Sequence, residues 1–272
     1  MNESVAFAVF GNPVSQSLSP LMHSAAYAQM GFPATYAAYE VNDAADIVRI
    51  IRERGISGAS ITIPFKETVM AFLDEVDENA SKIGSVNTII NRNGKLIGYN
   101  TDGPGLIRDL TEWIEIRGKT FVILGAGGAA RAAAFALIQE GGTPVVVNRT
   151  GERSHKLADE FGCRWSLPAE IGLLEADCLI NTTPVGMFPD TDRTPLGKKA
   201  LDRFSQVMDM VYNPVKTRLL REAHAEGCAI RSGVGMFIHQ GAEQIRLWTG
   251  QEPPREVMRR VVMERLGENG GK

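Results

Sequence analysis

The chain has 272 residues, enough for two domains at a prior of roughly 150 residues each. Its 29 Lys and Arg against 32 Asp and Glu leave a formal net charge of -3, which gives no support to a global nucleic-acid or membrane-surface role. Hydrophobic residues make up 44% and charged residues 22%, the balance of an ordinary globular protein. Cys163, Cys178 and Cys228 show no C-x-x-C spacing, which argues against a disulfide framework or a zinc site and for a reducing compartment. His23, His155, His224 and His239 are scattered without ligand spacing, so no metal is expected. The start Met1-Asn2-Glu3-Ser4 lacks a basic leader followed by an apolar run. No stretch approaches the ~20 apolar residues that span a bilayer, so a cytoplasmic location is expected.

Strands and helices alternate along the chain. Val5–Phe10 reads as a strand feeding the turn Gly11-Asn12-Pro13, and Ser19–Met30 as a helix with Pro20 in its first turn. Thr35–Val41 is a second strand, Asp43–Arg54 a helix spaced on Ile47, Ile50 and Ile51, and Gly55–Ile63 a third strand stopped by Pro64. A helical stretch around Glu67–Leu73 follows. Ser85–Asn91 and Leu96–Asn100 then flank Asn93-Gly94, a strong hairpin signal. Asp102–Glu115 is helical, and a new strand–helix–strand–helix series runs from Lys119 to about Phe161. Later strands are expected at Cys178–Asn181, Val207–Met210 and Ala229–Arg231, and helices at Val215–Glu226, Met236–Thr249 and Arg255–Leu266. The tail Gly267–Lys272 is expected to fray. Alternation of this kind implies an α/β protein with mostly parallel sheets covered by helices on both faces.

The run Thr120–Leu124 is apolar and rich in β-formers. It enters Gly125-Ala126-Gly127-Gly128-Ala129-Ala130 and then an alanine-rich helix, the strand–turn–helix context a dinucleotide fingerprint requires. Gly125 permits the tight turn, Gly127 lets backbone approach a pyrophosphate, and Ala130 allows close helix–strand packing. The helix N-terminus favours phosphate. A site for NAD would place an acid at the end of the next strand to bind the ribose 2′-hydroxyl. Here that strand, Pro144–Val147, ends in Asn148-Arg149-Thr150, with Arg153 one turn on. Two guanidinium groups suit a 2′-phosphate, so the cofactor expected is NADP(H).

Three further segments concentrate polar side chains at strand ends, where open α/β sheets bind ligands. They are Ser15–Pro20, the stretch Ser60–Lys66, and the pair Ser85–Thr88 with Asn100–Gly103 around the hairpin. Each has a plain structural alternative: serines that cap a helix, Asn87 and Asp102 that satisfy turns, or Lys66 as a surface lysine.

Taken together, these segments resemble the shikimate dehydrogenase family over essentially the whole chain. The motifs are Gly11-Asn12-Pro13 with Ser17-x-Ser19-Pro20-x-x-His23, Thr62-Ile-Pro-Phe-Lys66, Val86-Asn87-Thr88 and Gly98-Tyr-Asn-Thr-Asp102-Gly103. Gly125–Ala130, Asn148-Arg149-Thr150, Asn181-Thr-Thr-Pro-Val-Gly-Met187, Tyr212 and Gly233-x-Gly235-Met236 with Gln240 follow in the family's order. Many members carry Asn where this chain has Ser60, and often Asn at the position of Ser24.

The resemblance implies NADPH-dependent reduction of 3-dehydroshikimate to shikimate, a step of aromatic amino-acid biosynthesis. It implies substrate contacts from Ser17, Ser19, Thr62, Asn87, Tyr212 and Gln240, and a catalytic pair of Lys66 and Asp102. Asn181 and Thr182 would lie along the cofactor, with Gly233 and Met236 near the nicotinamide. In this reading the lysine stabilises the developing alkoxide, either as its proton donor or mainly as an electrostatic stabiliser, and the aspartate orients the ammonium. Motif order suggests a substrate domain of residues 1–102 and 237–272 around a Rossmann NADP-binding domain of 103–236, with the site in the cleft between them. The partner implied is a small molecule, with no nucleic acid or membrane, and the sequence leaves a homodimer open. Alternatives are a quinate or broad quinate/shikimate dehydrogenase using NAD, a catalytically silent NADPH sensor, and another NADP enzyme on a similar scaffold.

Overall fold

The structure is a computed structural model and describes residues 4–269. The leader reading at Met1–Glu3 and the last three residues of the expected frayed tail lie outside the described residues. The chain divides into two compact units. One holds the chain up to Gly105 together with Ile238–Gly267, and the other holds Leu106–Phe237.

The first unit runs β1 (Val5–Gly11), α1 (Ser19–Met30), β2 (Ala34–Glu40), α2 (Ala44–Glu53) and β3 (Gly58–Ile61). A 3-10 helix at Thr68–Phe72 leads to β4 (Glu75–Val76), α3 (Glu78–Ile83), β5 (Thr88–Arg92), β6 (Lys95–Tyr99) and the start of α4 (Asp102–Thr111). The strands form a six-stranded sheet in the order β2-β1-β3-β5-β6-β4. Strands β1, β2 and β3 are mutually parallel, whereas β5 runs antiparallel to both β3 and β6. The reversal comes from the predicted hairpin. Asn93 and Gly94 sit at φ 55° and 91°, the left-handed pair that a two-residue primed turn needs, and the Asn91 side chain accepts from the Gly94 amide at 2.8 Å.

Both faces of this sheet are covered, so its central strands are apolar on both sides. On β1, Ala8 and Phe10 face a cluster with Ile47, Ile51, Ile61, Ile89 and Leu96. Phe7, one residue out of phase, stacks on the rings of Tyr27 and Trp248.

The second unit runs β7 (Thr120–Leu124), α5 (Gly128–Gln139), β8 (Thr143–Val147), α6 (Gly151–Phe161) and β9 (Arg164–Ser166). It continues through β10 (Cys178–Asn181), β11 (Gln206–Asp209), α7 (Arg218–Ala225) and β12 (Ala229–Ser232). Its sheet has the order β12-β11-β10-β7-β8-β9 with every pair parallel, the doubly wound order of a dinucleotide-binding Rossmann sheet. One face packs Phe121, Ile123, Val146 and Ile180 against Ala130, Ala133, Ala134 and Leu137, and small alanines let α5 lie close to the sheet. The other face packs Val122, Val145, Leu179 and Val207 against Leu219 and Leu220. Helix α8 (Val234–Thr249) begins in this unit and returns the chain to the first, followed by α9 (Arg255–Asn269). Among the described residues no helix is long and apolar enough to cross a membrane.

Departures from the sequence reading sit at short elements and helix starts. The third strand stops at Ile61 because Thr62 turns the chain, its carbonyl accepting from the Phe65 amide at 3.0 Å. The helix expected from Val215 begins at Arg218, since Thr217 caps it by accepting from the Leu220 amide. Strands β4 and β9 are too short to carry a periodicity. Helix α3 is only six residues, set by the Asp77 cap and the left-handed Gly84.

Gly58 has no room for a side chain, because the Trp248 indole occupies that space while its Nε1 donates to the Ile89 carbonyl at 3.0 Å. Gly58→Ala should therefore destabilise the protein by about 1–3 kcal/mol, the usual cost of overpacking. Thermal unfolding checks this, and an unchanged Tm would contradict it.

Candidate active site

The polar segments of the first unit meet at the ends of its strands. Beyond β3, the turn at Thr62 leads to Lys66, whose carbonyl accepts from the Val86 amide at 2.8 Å. The Lys66 ammonium donates to Asp102 Oδ2 at 2.5 Å, and the two side chains are 18% and 6% exposed. Asp102 opens α4, its amide tied to the Asn100 side chain at 3.0 Å. Its other oxygen, Oδ1, accepts from Asn87 Nδ2 at 2.9 Å. Asn87 is in turn held by its own Oδ1, which accepts from the Thr101 amide at 2.7 Å and from the Thr88 hydroxyl at 2.8 Å. The lysine thus projects from a buried floor in which Asp102 and Asn87 are both hydrogen-bonded, while part of it reaches solvent.

Thr62 is half-buried. Ser17, also half-buried, accepts from the Ser19 amide at 3.2 Å, so it helps to start α1. Ser19 is buried, and its carbonyl accepts from His23 Nδ1 at 2.9 Å. Gln240 lies on α8 with its backbone and Cβ against Gly105, where no side chain would fit. Tyr212 belongs to the second unit, where its ring stacks on Phe237 at 4.2 Å between centroids.

In the second unit, Gly125 ends β7 at φ +118°, and a side chain there would collide with the Thr182 hydroxyl. Thr182 itself donates to the Leu124 carbonyl at 2.6 Å. Gly127 is the extended N-cap of α5, with no side-chain cap over the first helical amides. Ala126, Gly127 and Ala129 are half-buried, and Gly128 and Ala130 are buried in the packing of α5. At the end of β8, Asn148 donates to the Thr150 carbonyl at 3.1 Å, and Thr150 is the N-cap residue of α6 although its side chain makes no cap bond. Arg149 and Arg153 are exposed, and among the described residues no acid pairs with either. A turn of this shape followed by two uncommitted guanidinium groups, with no acid at the strand end, fits a dinucleotide carrying a 2′-phosphate.

Asn181 is fully buried, so the structure gives it a supporting place. Its Nδ2 donates to Asp209 at 2.9 Å and its Oδ1 accepts from the Thr183 amide and hydroxyl. Gly233 packs on the Met210 carbonyl without room for a Cβ, and the Met236 amide donates to buried Asp109 at 3.0 Å. Asp109 also pairs with Arg231 at 2.5 Å.

The family profile for the shikimate dehydrogenase substrate binding domain matches residues 9–89, and that for the shikimate 5'-dehydrogenase C-terminal domain matches residues 233–263. The NADP(+) shikimate dehydrogenase of Pyrococcus abyssi is 46% identical over 266 residues, covering 96% of this chain and 98% of its own. That of Methanosarcina mazei is 46% identical over 276 residues, with coverage of 96% and 98%. The Thermus thermophilus shikimate 5-dehydrogenase, solved in complex with NADP(H) and shikimate, aligns at a TM-score of 0.88 and 39% identity, covering 96% of this chain and 99% of that one.

The chain belongs to the shikimate dehydrogenase family. Of the residues that the family's motifs single out, Lys66, Asp102 and Asn87 are in direct contact here. Sequence reasoning missed Tyr36, Asp109, Asp209 and Gln244 as members of these networks. Only Gln244 carried a signal, being one helical turn from Gln240 on the same face of α8.

Burial displaces several ionisable groups of the chain from their usual range, His23 and Asp209 among them. Burial lowers the His23 pKa from 6.5 to about 4, opposed by its bond to the Ser19 carbonyl. The ring also stacks on Tyr36 at 4.3 Å. Burial raises the Asp209 carboxyl to about 6, against the hydrogen bonds from Thr217, Val211 and Asn181. As pH falls from 6.5 to 4, the unfolded chain protonates His23 and the folded chain does not, so the stability due to His23 is lost over that window. Asp209 has the opposite sign but is common to wild type and a His23 variant. His23→Asn should therefore show a shallower fall of Tm between pH 6.5 and 4 than the wild type, and parallel curves would refute the assignment.

Proposed function

We propose that the chain interconverts 3-dehydroshikimate and shikimate with NADP(H). The observation that carries this reading is the Lys66–Asp102 pair, buried on an Asn87 support in a chain of this family. The first unit would receive the substrate and the second the cofactor, with Arg149, Thr150 and Arg153 at the 2′-phosphate and the turn from Gly125 to Ala130 at the pyrophosphate. When bound, NADPH supplies the hydride that reduces the substrate carbonyl. Reduction makes that oxygen basic, and the Lys66 ammonium stabilises the charge and delivers the proton. In the reverse direction the neutral amine takes the proton back. Asp102 holds Nζ in place through its hydrogen bond, while Asn87 keeps the carboxylate from turning.

Ser17, Ser19, Thr62 and Gln240 supply hydroxyl and amide groups for the substrate's hydroxyls and carboxylate, with Tyr212 joining them. The same reading has the enzyme act in the cytoplasm on a small molecule, as a monomer or homodimer.

The deciding experiment is reduction of NADP+ followed by absorbance with shikimate, repeated with quinate and with NAD+. Turnover with quinate and NAD+ in preference to shikimate and NADP+ would overturn the proposal. Lys66→Ala should lower kcat by about two or more orders of magnitude, the scale of combined acid–base and electrostatic assistance. A change in KM alone would remove Lys66 from the chemistry. Arg149→Ala should raise KM for NADPH far more than for NADH, and equal effects on both would exclude a 2′-phosphate contact.

A further inference from the structure

We infer that Gln244 is a positioning residue, which fixes the Asp102 carboxylate through a one-way chain of buried hydrogen bonds starting at Tyr36. Gln244 is 1% exposed on α8. Its Oε1 accepts from the Ser60 hydroxyl at 2.8 Å, and its Nε2 donates to Thr88 Oγ1 at 3.1 Å and to the Asn87 carbonyl at 3.3 Å. Because Ser60 spends its proton on Gln244, the 2.6 Å contact between Tyr36 and Ser60 has the phenol as donor. Thr88 passes its own proton to Asn87 Oδ1 at 2.8 Å. Asn87 Oδ1 also accepts the Thr101 amide, so its orientation cannot invert, and Nδ2 faces Asp102 Oδ1 at 2.9 Å.

Every donor along Tyr36, Ser60, Gln244, Thr88 and Asn87 therefore points toward the same carboxylate, which Lys66 meets from its other oxygen. Aligned dipoles of this kind polarise one another in a low-dielectric interior. The chain works in one direction only while Tyr36 keeps its proton, and burial pushes that phenol's pKa up. Gln244 is the link that no neighbour can replace. Among the described residues it alone joins the Ser60 hydroxyl to the Thr88 hydroxyl, and its loss frees Thr88 to rotate and loosens the hold on Asn87 against Asp102.

The inference rests on the reading that Lys66 and Asp102 handle the proton, so its test needs one readout that does not. In Gln244→Met, kcat for shikimate oxidation should fall about tenfold, with KM for NADP+ within about twofold, as expected when a supporting contact lets a catalytic group drift. Ser60→Ala, a milder lesion further up the chain, should move kcat in the same direction by less. Independently of turnover, the Asn87 side-chain amide protons should exchange with solvent at least about tenfold faster in Gln244→Met by NMR, since their shielding depends on local order.

If kcat and the Asn87 exchange stay at wild-type values, even with a lower Tm, Gln244 is only packing and the inference fails. A wild type that does not oxidise shikimate, but whose Asn87 exchange responds to the substitution, would overturn the proposed function and leave the positioning role standing.

Discussion

The contact between the Lys66 ammonium and the Asp102 carboxylate organises the first unit. Two nearly buried charges cost several kcal/mol to desolvate, and an ion pair offsets this only when its remaining polar atoms are also satisfied. Asp102 is satisfied by Asn87, Asn87 by Thr88 and Thr101, and Thr88 by Gln244. The reversed strand β5 is what makes this possible. Running antiparallel between β3 and β6, it brings the start of one strand, at Asn87 and Thr88, beside the end of its neighbour at Tyr99 and the residues that follow.

The second unit solves a different problem with the same economy. Its site must present backbone rather than side chains, so the elements behind it lock one another. Asn181 and Thr217 converge on buried Asp209, and Thr182 fills the space that a side chain on Gly125 would need. The chain ends of β7 and β10, neighbours at the point where strand order reverses, are thereby held to one conformation. Arg149 and Arg153 stand outside this scaffold and carry the charge that a phosphate would meet.

Much of this was legible from residues alone, because the signals were local. Asn93-Gly94 announced a hairpin, Gly125–Ala130 announced a strand–turn–helix, and the strand end at Asn148-Arg149 lacked an acid. Lys66 and Asp102 were paired only through the resemblance to the family. Tyr36, Ser60 and Gln244 could not be joined in advance, since the bonds between them span 24 and 184 positions and depend on how α8 packs back on the sheet. Asn181 shows the converse limit. Its motif suggested a place along the cofactor, but its completely buried bond to Asp209, 28 positions away, could not be read from that motif. Short elements such as β4 and α3 escaped notice because so few residues leave no period to read.

The first unit is assembled from two stretches of chain separated by the whole of the second. During synthesis, its sheet and hairpin leave the ribosome long before α8 does, by on the order of ten seconds at ordinary elongation rates. Over that interval Gly58 has no indole across it, and Ser60 and Thr88 have no amide between them. The intervening unit is built almost wholly from the one stretch Leu106–Phe237 and can finish its own core first. The nascent protein therefore completes the part that would hold the nucleotide before it can complete the part that would carry the chemistry, and a ribosome that stalls short of Gln244 holds a chain whose Lys66, Asp102 and Asn87 are present without the amide that ties Thr88 to Ser60.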